Sequence, residues 1–287
     1  MKIAIGINAF KPYDKLNHRE ILCIESLRKL KQKFKNVELY IITFEEDKLV
    51  YDGFITINKL KKKSNAVIKE YFNQDWLLHE YNLRKNDIDN NKRELPIVNE
   101  IFDVMSDIDS DYFLFTNSDI IISDRFIKHI TNEYECYPSS KACIKNINSL
   151  DDIPVVDAYS IHGFDAFAIK NSVWKSFSKE LKPFILGHNY WDTYFFTMLN
   201  CLCKCKNLNK LPFVCYHINH EGCSSDKAFI ENYYTEDVFK RDALVNSIWW
   251  NYVFNVLEKR PTINNCKWYL PFENEIELER FYFKIKK

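Results

Sequence analysis

The chain has 287 residues, of which 46% are hydrophobic, 16% are aromatic and only five are glycine. This length and composition are typical of a compact folded protein with a sizeable core and exclude a disordered chain. Because 40 basic side chains balance 40 acidic ones, no net charge favours nucleic acid or an anionic membrane as a partner.

The N-terminal stretch MKIAIGINAF predicts a β-strand that starts almost at residue 1, because the apolar part is too short for a signal peptide. No apolar run reaches the ~18 residues that a membrane-spanning helix needs. The chain contains nine cysteines and no secretory signal, so we expect a cytoplasmic protein with free thiols. Any contact with a membrane would be peripheral.

The first 60 residues have the pattern of a βαβ unit. Ile3–Ile7 predicts a buried strand, and Asn17 with Glu20 predicts a capping box at the start of an amphipathic helix. Val37–Phe44 and Phe54–Ile57 predict two further strands. Short connections between strand, helix and strand imply a parallel sheet.

A polar, charged segment then leads to a second strand-forming region. Lys59–Asn91 is polar and charged, and its run Lys61-Lys62-Lys63 is expected to be a solvated surface, with a phosphate-facing loop as the alternative. We expect a helix whose first turn contains Pro96, followed by the strand Tyr112–Thr116. Asn117-Ser118-Asp119 separates that strand from a second apolar run. An acidic residue in this position is expected at a strand end facing a cleft, where α/β proteins bind ligands; an ordinary polar turn is the alternative.

The second half is less regular. We expect a helix over Phe126–Tyr134, an apolar run over Ala158–Ile169 interrupted by His162-Gly163-Phe164-Asp165, and a helix that begins near Trp191-Asp192. The expected elements that follow are a strand over Leu211–His217 and an aromatic amphipathic helix over Thr235–Leu257.

The order of these polar elements resembles that of GT-A glycosyltransferases, which transfer sugars from nucleotide-diphosphate donors. In that class a D-x-D element follows a sheet strand, and its last Asp binds Mn²⁺ or Mg²⁺. Asn117-Ser118-Asp119 matches with Asn in the first place. The resemblance therefore implies that Asp119 binds the metal, and it leaves Asn117 as a departure at a position that contacts the nucleotide or metal.

The resemblance also implies an architecture: an α/β, GT-A-like fold with a Rossmann-like, mostly parallel central sheet flanked by helices. Residues 1–225 would form the catalytic domain, with a nucleotide-binding half over 1–124 and an acceptor half over 125–225. Residues 226–287 match no known pattern and are expected to form a mostly helical extension packed on that domain. A dimer contact or a position near a membrane-bound acceptor stays open for this extension.

Elementary chemistry agrees with a metal at this position. A nucleotide diphosphate leaving group concentrates negative charge, which a hard cation with oxygen ligands stabilises. One or two carboxylates with substrate phosphates suffice for a Mg²⁺-type site. The resemblance adds His217, at a late strand end, as a further metal or diphosphate ligand; imidazole mildly favours Mn²⁺. The alternative is a structural histidine.

Asp192 is the candidate catalytic base of an inverting reaction, because such enzymes place an acidic residue near the start of a late helix. The alternative is a plain helix cap. Trp191 is a candidate sugar-stacking platform, with a core aromatic as the alternative. His162, Gly163 and Asp165 are expected to line the sugar pocket. Burying Asp165 between aromatic residues would be costly without a partner, which favours a definite role.

Four residues complete the candidate site on the nucleotide side. The end of the first strand is where this class receives the base and ribose, so the resemblance implies nucleotide contacts for Asn8, Phe10 and Asp14. Arg93 precedes the helix that leads to the metal element and is expected to lie over the nucleotide.

The resemblance predicts a metal-dependent glycosyltransferase that moves a sugar from a nucleotide-diphosphate donor to a glycan or lipid-linked acceptor and inverts the anomeric centre. A retaining transferase, a nucleotidyltransferase and a non-catalytic carbohydrate-binding protein of the same fold are the alternatives. A nucleotidyltransferase usually carries a Gly-rich basic loop after its first strand, whereas Ile7–Asp14 has no glycine. A structural zinc site at Cys201, Cys203 and Cys205 is disfavoured, because one-residue spacing does not suit a zinc knuckle.

Overall fold

The structure is a computed structural model, and it describes residues 1–64, 95–152, 154–159, 164–181, 183–187, 191–208 and 214–219. Most of the charged segment Lys59–Asn91, together with Arg93, His162 and Gly163, lies outside these residues. The expected helix Thr235–Leu257 and the whole region 226–287 also lie outside them. The proposed division of the chain into halves and an extension therefore stays a prediction.

A six-stranded sheet forms the centre of the described structure. Its strands are β1 (Ile3–Asn8), β2 (Val37–Phe44), β3 (Ile55–Leu60), β4 (Tyr112–Thr116), β6 (Cys136–Ser139) and β9 (Ala166–Lys170). The spatial order is β3-β2-β1-β4-β9-β6. The first four strands in that order are parallel, and β9 runs antiparallel to both β4 and β6. This arrangement confirms the predicted α/β class with a mostly parallel central sheet.

A second, smaller sheet was not predicted. Its strands are β5 (Ile120–Ile122), β7 (Ala142–Ile144), β8 (Val156–Tyr159) and β10 (Cys215–Ile218). They are ordered β5-β10-β7-β8, with β10 parallel to β7 and antiparallel to β5. Because β4 belongs to the large sheet and β5 to the small one, the three residues Asn117-Ser118-Asp119 carry the chain from one sheet to the other.

Five α-helices are described: α1 (His18–Lys33), α2 (Val98–Ser106), α3 (Asp124–His129), α4 (Asn171–Phe177) and α5 (Trp191–Leu202). The capping box is confirmed, since Glu20 N donates to Asn17 Oδ1 over 3.1 Å and Asn17 N donates to Glu20 Oε2 over 2.8 Å. Within the described part of the chain, no helix combines the length and apolar character needed to cross a membrane.

Two predicted helix boundaries were wrong. Pro96 lies before α2 rather than in its first turn, because it forms a β-bridge with Lys63. The helix expected to reach Tyr134 ends at His129. The hydroxyl of Tyr112 donates to the carbonyls of Thr131 (3.0 Å) and Tyr134 (2.5 Å), which fixes residues 131–134 in a non-helical path.

Two other predicted apolar runs form strands with bounds that differ from those expected. The run Ala158–Ile169 is divided between β8 and β9, which belong to different sheets. The strand expected over Leu211–His217 is observed as β10, while residues 211–213 lie outside the described chain.

Both faces of the large sheet are buried. Along β4, Phe113 and Phe115 point to a core layer built with α2, α4 and α5, whereas Tyr112 and Leu114 point to a layer that includes α1. Phe102 of α2 is wholly buried at the centre of the first layer. Burial on both faces explains why β4 is a continuous apolar run instead of an alternating one.

Candidate functional site

Polar side chains gather where β4 ends. The parallel pairing of β1 and β4, with Ile7 opposite Thr116, places the ends of both strands at the same sheet edge. Asn117 follows directly and is held to Asp165, which precedes β9. Asn117 N donates to the Asp165 carbonyl over 3.3 Å, and Asn117 Nδ2 donates to Asp165 Oδ1 over 3.2 Å. The position given as a departure from the D-x-D pattern therefore orients a second carboxylate.

The structure brings Asp119 and His217 together. The β5–β10 pairing places His217 opposite Ile120, the residue that follows Asp119. Asp119 Oδ2 lies 3.2 Å from His217 Nε2. The His217 side chain is 6% exposed and that of Asp119 is 38% exposed. The carboxylate is therefore partly accessible to solvent, and the imidazole that contacts it is buried.

The electrostatics favour an ionised Asp119. Burial raises the pKa of Asp119, but the hydrogen bond and charge of His217, together with the charge of Lys141, more than offset it. The pKa of Asp119 therefore lies below its ordinary value. A carboxylate that is ionised near neutral pH is available to bind a cation without first losing a proton.

Sequence reasoning missed Lys141, which lies between β6 and β7. Its Nζ is 3.2 Å from Asp165 Oδ1, and the two side chains are only 21% and 9% exposed. Burial lowers the pKa of Lys141, but the charges of Asp165 and Asp119 outweigh that effect and raise it above its ordinary value. A lone Lys among 40 basic residues gives no sequence signal; only its position between the short apolar runs of β6 and β7 distinguishes it.

Asp192 lies in the first turn of α5, as expected. Its Oδ2 accepts a hydrogen bond of 2.9 Å from the backbone N–H of Phe164, which lies 28 residues earlier in the chain. Because Phe164 precedes Asp165, this bond joins Asp192 to the group formed by Asn117, Asp165 and Lys141. The side chain of Asp192 is half-buried.

The remaining candidates have different surroundings. Trp191 is buried and its ring lies 6.2 Å from that of Phe115 and 5.9 Å from that of Phe167, the environment of a core aromatic. Asn8 is buried and its Nδ2 donates to the Ile42 carbonyl over 2.8 Å. Phe10 is 70% exposed and Asp14 is exposed. The nucleotide and sugar contacts assigned to these residues stay predictions.

Asp119 and His217 fit a shared divalent cation, provided that His217 Nε2 gives up the proton of its hydrogen bond to Asp119 when the cation binds. Two ligands in adjacent positions of an octahedral site, each about 2.1 Å from the ion, are about 3 Å apart; the observed separation of Oδ2 and Nε2 is 3.2 Å. Among the described residues no group of three or more His, Cys, Asp or Glu side chains has an arrangement suited to a metal. A cation here would therefore take its other ligands from substrate phosphates and water, as Mg²⁺-type sites commonly do.

No protein-family model matches the chain, and a search of curated proteins finds no match. Among solved structures, the chain is similar to the glycosyltransferase GlyE of Streptococcus pneumoniae TIGR4, with 11% identity and a TM-score of 0.37. The apo form of GlyE gives 10% identity and a TM-score of 0.36. In both cases 88% of this chain is aligned, and it spans 64% of the length of GlyE.

A glycosyltransferase involved in the glycosylation of the major capsid of PBCV-1 is also similar, with 9% identity and a TM-score of 0.34. That likeness covers 79% of this chain and 96% of the other. Identities and TM-scores this low do not establish an activity for the chain.

Proposed function

We propose that the protein is a divalent-metal-dependent glycosyltransferase that moves a sugar from a nucleotide-diphosphate donor to a glycan or lipid-linked acceptor. The observation that carries this proposal is the contact of 3.2 Å between Asp119 and His217 at the end of β4, with the buried ammonium of Lys141 beside it. The carboxylates of Asp119 and Asp165 outnumber the ammonium of Lys141, so the group would attract a cation, and that cation would bind a diphosphate at the strand-end position where α/β proteins bind ligands.

Two features of the site would bind the diphosphate: a cation held by Asp119 and His217, and the ammonium of Lys141. Asp119 and His217 would hold Mn²⁺ or Mg²⁺, which when bound neutralises charge developing on the leaving diphosphate. Lys141 would add a positively charged donor whose position Asp165 fixes and whose charge Asp165 partly balances; the charges of Asp165 and Asp119 raise the pKa of Lys141 and keep it protonated. Charges held in a partly buried site act more strongly than in bulk water.

Asp192 is proposed to act as the general base. Its hydrogen bond to Phe164 N fixes the carboxylate next to the Asp165 segment, so that it can take a proton from an acceptor hydroxyl close to the donor sugar. The acceptor oxygen then forms a bond to the anomeric carbon, and the bond from that carbon to the diphosphate oxygen breaks with its electron pair. General-base assistance of this kind contributes about 10²–10⁴-fold. Direct displacement inverts the anomeric centre.

A thermal-shift panel tests the donor site. The protein is melted with UDP, GDP, CMP or dTDP, each in Mn²⁺, Mg²⁺ or EDTA. A ligand that binds only the native state at 100 times its Kd adds about 2.7 kcal/mol, or roughly 5–10 °C for a chain of this size. We expect one nucleotide to give a shift of this kind with metal, and we expect Asp119→Asn to lose it.

Asp157→Asn is the matched control. Asp157 lies on β8 of the same small sheet as His217, and its side chain is 33% exposed. The control should keep the metal-dependent shift. If no nucleotide raises the melting temperature of the wild type in any metal condition, a non-catalytic carbohydrate-binding protein becomes the better account. The panel is repeated with the nucleoside triphosphates UTP, GTP, CTP and dTTP, and a shift that appears only with a triphosphate would instead favour a nucleotidyltransferase. Retention of configuration, seen by NMR of the product, would remove the role given to Asp192.

A further inference from the structure

Three cysteines meet where the chain leaves α5 and runs beside the edge strand β6. This three-cysteine cluster consists of Cys136, Cys203 and Cys205. Backbone bonds fix the two segments: Glu135 N donates to the Lys204 carbonyl over 2.8 Å, and Lys206 N donates to the Cys136 carbonyl over 2.9 Å. They place Cys205 opposite Cys136 in a parallel β-bridge.

The thiols of the three-cysteine cluster are in mutual contact. Cys203 Sγ lies 3.9 Å from Cys205 Sγ and donates to the Leu199 carbonyl over 2.9 Å. Cys136 lies opposite Cys205 in the β-bridge and close enough to both of the other thiols to influence the pKa of each. Cys136 is fully buried, whereas Cys203 and Cys205 are partly exposed. Two neighbouring cysteines of the cluster are therefore partly exposed to solvent, and the third is buried behind them.

Hydrogen bonding makes the three thiols chemically unequal. The neighbouring thiols of Cys136 and Cys205 lower the pKa of Cys203 below its ordinary value. Burial raises the pKa of Cys136. For Cys205, the neighbouring Cys136 lowers the pKa, but Cys203 and burial outweigh that effect and raise it above its ordinary value. Cys23 and Cys215 are fully buried in the core and burial raises the pKa of each. Reactive cysteines are partly exposed and have a lowered pKa, whereas buried structural cysteines are inert.

We propose that the three-cysteine cluster is a thiol–disulfide exchange site, in which Cys203 reacts with a low-molecular-weight disulfide and Cys205 resolves the product. The Cys203 thiolate attacks one sulfur of the disulfide RSSR, forming a mixed disulfide and releasing RS⁻, which takes up a proton. Cys205 Sγ then attacks the Cys203 sulfur, its proton passes to the leaving group, and the second RSH is released. The net change is two protein thiols and RSSR to one protein disulfide and two RSH.

This site uses none of the residues assigned to sugar transfer, so it stands independently of the proposed function. The short path between Cys203 and Cys205, with one residue between them and 3.9 Å between their sulfurs, favours the second step over reaction with a further molecule of RSSR. Cys136 is too deeply buried to meet the reagent first.

The test is peptide mapping of the full chain after incubation with oxidised glutathione. Trypsin cleaves after Lys204, so a Cys203–Cys205 disulfide leaves the dipeptide Cys205-Lys206 attached to the preceding peptide until a reductant releases it. We expect this linked peptide in the wild type. Cys205→Ser should stop at a glutathione adduct on Cys203, and Cys203→Ser should lose both products.

Two matched variants control for general thiol chemistry. Cys143→Ser removes another partly exposed cysteine, on β7 of the small sheet, and Cys201→Ser removes the other cysteine of the same tryptic peptide. Both should keep the linked peptide. Labelling that is uniform over the partly exposed cysteines, or a glutathione adduct on Cys203→Ser that forms as fast as on the wild type, would overturn the proposal. A disulfide from Cys136 to Cys203 would overturn the role of Cys205.

Discussion

Replacing Lys141 by Met should destabilise the protein, because the buried carboxylate of Asp165 then loses its ion-pair partner. Asp165 Oδ1 lies 3.2 Å from Lys141 Nζ, and the Asp165 side chain is only 9% exposed. Breaking a buried ion pair by removing one partner costs about 3–5 kcal/mol. Asn117 Nδ2 also donates to Asp165 Oδ1, so part of the carboxylate stays satisfied and we expect about 2–4 kcal/mol.

Urea unfolding measures this loss. With a slope of about 2–3 kcal/mol per M for a chain of this size, the midpoint should fall by about 1 M. The double variant Lys141→Met/Asp165→Asn should recover at least half of that shift, because the unpaired charge is then gone. Lys145→Met is the control, since Lys145 is 67% exposed and 4.0 Å from Asp157; its cost should stay below about 0.5 kcal/mol.

Two results would show that loss of the Lys141–Asp165 ion pair does not cause the destabilisation. The first is a Lys141→Met midpoint within about 0.2 M of the wild type, which would mean that the carboxylate is solvated or otherwise paired. The second is a double variant less stable than Lys141→Met alone, which would assign the cost to packing of the lysine stem rather than to an unpaired charge.

Three further predictions concern stability. Asn17→Ala should cost about 0.5–2 kcal/mol in urea unfolding, because it removes the cap of α1; a change below 0.2 kcal/mol would contradict this. Phe102→Ala should cost about 3–5 kcal/mol, since its ring is fully buried among aromatic rings, and a loss under 1 kcal/mol would mean that the core collapses around the gap. The hydrogen bonds of Lys128 and Lys33 lower the pKa of Asp124 from 3.8 to about 2. Their stabilisation is fully present above about pH 4 and is lost as the pH falls through 2, so Asp124→Asn should cost about 1 kcal/mol at pH 7, after allowance for solvent screening, and only a small fraction of that near pH 2. An undiminished difference at pH 2 would exclude this origin.

The elements that sequence predicted well are those with local signals. The capping box at Asn17 and Glu20 and the continuous apolar run of β4 are complete within a few residues. The parallel βαβ order of β1, α1 and β2 follows from short connections between such elements. For the same reason the polar break Asn117-Ser118-Asp119 was correctly placed at a strand end.

The small sheet could not be predicted, because its strands have only three or four residues and pair over long distances in sequence. The contact of His217 with Asp119 depends on the pairing of β10 with β5, which joins segments about 95 residues apart. Lys141 enters the site only because β6 and β7 belong to different sheets and the turn between them faces Asp165. The resemblance supplied Asp119 and His217 as candidates, and their role in holding a metal stays a prediction.

We propose that Asp119 and His217 together hold the cation that binds the donor diphosphate. Electron paramagnetic resonance of Mn²⁺ tests it directly, because the sharp signal of the free ion is lost when the ion is bound. We predict that the wild type binds Mn²⁺ in the presence of the nucleotide that stabilises it, that Asp119→Asn and His217→Ala bind it at least ten times more weakly, and that Asp157→Asn binds it normally. Undiminished binding of Mn²⁺ and nucleotide by Asp119→Asn would contradict the account.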